Sequence, residues 1–212
     1  MDYAALKVEL DSLYAQLNEP HGVVPEWAER GLTSVELLEV ENRVGIKLPP
    51  AMKQALMVFS GISHETPYYL GSRFAAIQKE VIKRSKRELT EDDFSDDLEI
   101  AMTFPPQDWE GDELNELRVI QAEGLQDVET KQLIAVDCDT AWLKNEKFLM
   151  IGTTYSESLF INLIDEKDAH FGALYNAAFL FPFFVIYKVA DSYEDFLVNL
   201  QGSLKKRIEL QE

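Results

Sequence analysis

The chain has 212 residues, with 20 Lys and Arg against 38 Asp and Glu, for a formal net charge of −18 at pH 7. Nucleic acids and lipid surfaces are themselves polyanionic, so this charge argues against binding either one directly, whereas a basic protein would be steered towards it. The single cysteine, Cys138, excludes an intrachain disulfide framework or a cysteine metal cluster, and an apolar fraction of 46% with 11% aromatics points to an ordered globular chain.

Tyr3, Leu6, Leu10, Leu13, Tyr14 and Leu17 recur at helical spacing and predict a first amphipathic helix. The same charged segment reads as neither a signal nor a transit peptide, and the cysteine usage suits a reducing compartment, so a cytoplasmic location is expected. Residues 18–31 hold Pro20, Gly22, Pro25 and Gly31 as breakers and predict a loop, with Trp27 folding back onto the core.

From Gly31 to Gly61 the chain predicts two short helices. Thr33 is a fitting N-cap and Glu36, three residues on, can complete a capping box. Val35 and Leu38, flanked by Leu37 and Val44, read as the buried stripe of the first helix. Gly45 suits the left-handed residue that follows a helix, because glycine adopts positive φ without strain. Ile46 and Leu48 lead in extended form to Pro49 and Pro50. The residue before a proline avoids helical dihedrals, while proline itself fits a first helical turn. Met52, Ala55, Leu56 and Phe59 then make a second stripe, ended by Gly61.

A further helix is expected from Arg73 to Arg87, with Lys79, Lys83, Arg84, Lys86 and Arg87 on its outer face. The sign then reverses: Glu88 to Leu117 holds twelve acids and no Lys or Arg, and predicts loops, edge structure or partial disorder. Five short strands follow at 133–137, 148–151, 159–163, 173–175 and 183–187. The apolar run Ala177 to Tyr187 is too short to span a bilayer, which takes about 20 residues, and predicts a buried strand–turn–strand. A last helix is capped by Asp191 or Ser192. Tyr193, Phe196, Leu197 and Leu200 face inward, and Lys205, Lys206 and Arg207 complement the far pole of the dipole.

Two blocks carry a family resemblance. The first is Val44-Gly45-Ile46-Lys47-Leu48-Pro49, with Met52-Lys53, Leu56 and Phe59-Ser60-Gly61. The second comprises Phe148-Leu149-Met150-Ile151-Gly152, Ile161-Asn162-Leu163, Ala173-Leu174-Tyr175 and Ser192-Tyr193-Glu194-Asp195-Phe196-Leu197. Together they resemble the SUKH superfamily, the Smi/Knr-type domain. Met52 stands where an aromatic is common, Ser60 where Asn is common, and the turn Thr153 to Ser158 is bulkier than the usual glycine-rich form. The resemblance implies an α+β fold with a central, largely antiparallel sheet and helices packed on it. The chain is then one domain over 1–212: a helical part at about 1–87, an acidic variable insert at about 88–117 and a strand-rich part at about 118–212. It also implies binding rather than catalysis. Many bacterial members are immunity proteins of polymorphic or contact-dependent toxin systems, while the eukaryotic members suggest a cell-wall or signalling regulator with several partners.

The residues themselves offer little chemistry. His21, His64 and His170 form no i, i+4 pair and H-E-x-x-H is absent, so no zinc site is expected. Asp137 and Asp139 beside Cys138 would raise the thiol pKa rather than activate it. The acids around Asp92 to Asp97 lack the central glycine and terminal glutamate of a calcium loop, and no phosphate-binding glycine loop or G-x-S-x-G occurs. No enzyme activity and no cofactor is expected. The expected contact surface is the acidic insert, where Asp92, Asp93, Asp96, Asp97 and Glu99 surround Phe94, and Asp108, Glu110, Asp112 and Glu113 surround Trp109. Aromatic anchors in a negative field suit a basic protein partner, here a cognate toxin domain, with anchors supplying affinity and charge supplying on-rate. A solvated loop is the alternative for the same residues.

Overall fold

A computed structural model describes residues 1–17, 31–45, 47–59, 65–69, 97–102, 119–121, 133–136, 147–153, 157–162, 170–180 and 183–211. They form an α+β fold of four helices and an eight-stranded sheet. The helices are α1 (Tyr3–Gln16), α2 (Ser34–Val44), α3 (Pro50–Leu56) and α4 (Tyr193–Gln211). The strands are β1 (Glu65–Tyr69), β2 (Asp97–Met102), β3 (Val119–Gln121), β4 (Leu133–Val136), β5 (Lys147–Thr153), β6 (Glu157–Asn162), β7 (Leu174–Leu180) and β8 (Phe183–Ala190).

The helix boundaries have local causes. Asp2 caps α1 by accepting from the N–H groups of Ala4 and Ala5, each at 3.1 Å. Thr33 and Glu36 make the expected reciprocal box: Glu36 N–H donates to Thr33 Oγ1 at 3.3 Å and Thr33 N–H donates to Glu36 Oε2 at 2.7 Å. Gly45 closes α2 in the left-handed region at φ 71°. At α4 the cap is Ser192, whose hydroxyl oxygen accepts from Asp195 N–H at 3.0 Å.

The sheet runs β1-β2-β5-β6-β7-β8-β4, with β3 also on β5. Every pairing is antiparallel except β4 with β8, which is parallel. Since β6 occupies one edge of β5, β2 and β3 must share the other. β3 takes Lys147 to Leu149 and β2 takes Gly152 and Thr153. The changeover coincides with a register shift between Met150 and Gly152, a bulge that bends the strand where its neighbour changes. Gly152 is therefore within β5 and not in the turn. That turn is shorter than expected, because Thr153 already pairs with Ser158.

One core joins helices and sheet. Leu6, Leu10 and Leu13 of α1, Met52, Ala55 and Leu56 of α3 and Phe196, Leu197, Leu200 and Leu204 of α4 meet Ile161, Leu174, Val185, Tyr187 and Val189 of the sheet. By strand alternation Tyr175, Ala177 and Ile186 lie on the opposite face, yet they are equally buried. This part of the sheet is thus covered on both sides. That explains the near-continuous apolar run from Ala177 to Tyr187, which a strand with one wet face would not need. The run is the expected strand–turn–strand, with Leu180 paired to Phe183. Inside it, the buried Asn176 is satisfied by its cross-strand partner, donating its side-chain amide to Tyr187 Oη.

Helix α4 lies against β1, β8, α1 and α3. In the sheet order β1 and β8 are five steps apart, roughly 24 Å at the usual strand spacing. A 19-residue helix is about 28 Å long, so it reaches both by crossing the sheet or by the sheet curling round it. Helices α1 and α4 run side by side in the same direction. Tyr3 lies beside Glu194, and further along Glu9 Oε1 sits 2.7 Å from Lys205 Nζ.

The structure departs from three expectations. Val35 and Leu38 of α2 are exposed, at 72% and 55%, and the buried stripe is Leu37 and Val40. The sequence already contained the discriminating spacing: Leu37, Val40 and Val44 stay apolar over two turns, whereas Val35 and Leu38 are followed at the next position by Asn42. Second, α4 continues to Gln211 with no basic residue in its last turn. Lys205 therefore serves as a tie to α1 and not as a dipole partner. Third, part of the acidic insert is neither loop nor edge, since β2 has neighbours on both sides. Trp27 and the expected helix at 73–87 lie outside the described residues.

Candidate protein-interaction surface

Of the acidic candidates, Asp97 and Glu99 fall on β2, in register with Tyr69 and Pro67 of β1. Proline has no N–H to give a ladder, and its presence fits β1 as the outermost strand. The structure therefore brings Asp97 and Glu99 together on an interior strand, one residue apart. Asp92, Asp93, Phe94, Asp96, Asp108, Trp109, Glu110, Asp112 and Glu113 lie outside the described residues, as do Cys138, His21 and His64.

The described residues also locate the charges of the helical layer. Glu41 of α2 turns back onto the chain that leaves the helix. Its Oε1 accepts from Leu48 N–H at 2.8 Å and from Lys53 Nζ at 3.0 Å. This carboxylate joins the two helices across the Gly45 to Pro49 link, so its role is structural. Lys7 with Asp11, and Lys188 with Asp191, are short-range surface pairs of the kind that contribute up to about 1 kcal/mol. His170 is exposed on the turn before β7. Among the described residues no group of three or more His, Cys, Asp or Glu converges to hold a metal ion. No described helix is long and apolar enough to cross a membrane.

Where α1 meets α4, two phenols are shifted. Burial, and secondarily the nearby Tyr3, raises the Tyr193 hydroxyl well above its ordinary value of 10.0. Burial and then the Glu194 carboxylate raise Tyr3. Folding thus holds both protons more tightly than the unfolded chain does. The stabilisation is fully present below about pH 10 and is lost as the unfolded state begins to ionise above it. Stability is expected to fall by up to about 1.4 kcal/mol per pH unit above that point for the buried Tyr193 phenol. Denaturant titrations between pH 8 and 11 check this, and Tyr193→Phe should make the alkaline decline shallower.

Sequence reasoning missed the solvent face of α2, because it placed Val35 and Leu38 in the core. Their side chains are instead two large apolar groups one turn apart on a helix whose opposite face is anchored by Leu37 and Val40. No protein-family model matches the chain, and no curated protein matches it.

Proposed function

We propose that this protein is a non-enzymatic binding module, an immunity protein that neutralises a cognate bacterial polymorphic or contact-dependent toxin by direct association in the cytoplasm. The observation that carries this reading is the net charge of −18. Much of that charge is concentrated in the stretch from Glu88 to Leu117, which enters the sheet through β2. A nuclease is the toxin class the charge favours. Its cleft is positive in order to hold phosphates, and a polyanionic inhibitor competes for the same field and is steered into it. The resemblance to SUKH domains supports the same reading, as does the α+β architecture.

The test is to purify the toxin domain encoded beside this gene and assay it with and without this protein. Stoichiometric loss of toxin activity, through a complex that weakens steeply between low and high salt, is the expected result. Undiminished toxin activity in the presence of excess protein would sink the reading. Binding that ignores salt would remove the electrostatic part of it.

A further inference from the structure

We draw no further inference here: the strongest candidate, the exposed apolar pair Val35 and Leu38 on the solvent face of α2, lies beside a Glu36 already bonded to Thr33, and nothing in the structure shows what covers it.

Discussion

Gly31→Ala is expected to lower the free energy of unfolding by about 3 kcal/mol, at the upper end of what overpacking costs, as read by urea denaturation. A methyl group at this position would lie 1.9 Å from the carbonyl oxygen of Met57, 2.1 Å from its carbon and 2.7 Å from the nitrogen of Val58. All three are backbone atoms, so no side chain can rotate out of the way. Relief requires lifting the approach to α2 off the end of α3. That movement would strain the Leu32 N–H to Leu56 carbonyl bond at 2.7 Å and shift two buried leucines. Gly45→Ala is the informative contrast. Its φ is 71°, but nothing lies within 4 Å of the added carbon, so only the left-handed backbone penalty applies, about 1–2 kcal/mol. If the two variants lose the same amount, the close approach at Gly31 is not what the structure indicates.

Glu41→Ala is expected to cost about 1.5–3 kcal/mol, the range for a hydrogen bond to a charged group. The loss comes chiefly from the partly buried bond donated by Leu48 N–H, whose own residue is only 2% exposed. The ion pair to Lys53 contributes less, because that ammonium is 35% exposed and partly screened by water. Glu41→Gln keeps an acceptor and should recover most of the loss. A double-mutant cycle with Lys53→Met should give a coupling of about 0.5–1 kcal/mol. A coupling as large as the whole Glu41→Ala effect would reverse this ranking of the two contacts.

The parts of the fold governed by neighbouring residues were legible in the sequence. The Thr33–Glu36 box, the left-handed Gly45, Pro50 opening α3, the Ser192 cap and strands β4 to β8 all follow from local sterics and hydrogen bonding. The parts set by distant partners were not. β3 is three residues long, too short to show a period. In β1 the Pro67 reads as a breaker until its place at the sheet margin is known. In β2 the density of Asp and Glu obscured the alternation of Leu98, Ile100 and Met102. The parallel pairing of β4 with β8 crosses three intervening strands and leaves no mark on either segment. On α2 two apolar faces compete within eleven residues; packing buries Leu37 with Val40, and the one local clue was that Val44 extends that stripe while Asn42 interrupts the other. The candidate acids divide the same way. Their charge and the aromatics among them were plain from composition, whereas the incorporation of Asp97 and Glu99 into an interior strand was not.

The union of α1 with α4 also governs when the molecule can fold during synthesis. Among the described elements, Tyr3, Leu6, Leu10 and Leu13 are made before all the others, yet the helix they pack against is made after all the others. β4 likewise waits for β8, its parallel partner. The early apolar stripe therefore stays uncovered while almost all of the remaining elements are translated. Such long-range closure slows folding and exposes the nascent chain to aggregation. Nascent chains halted before Tyr193 should remain open to chaperones and proteases until α4 is added.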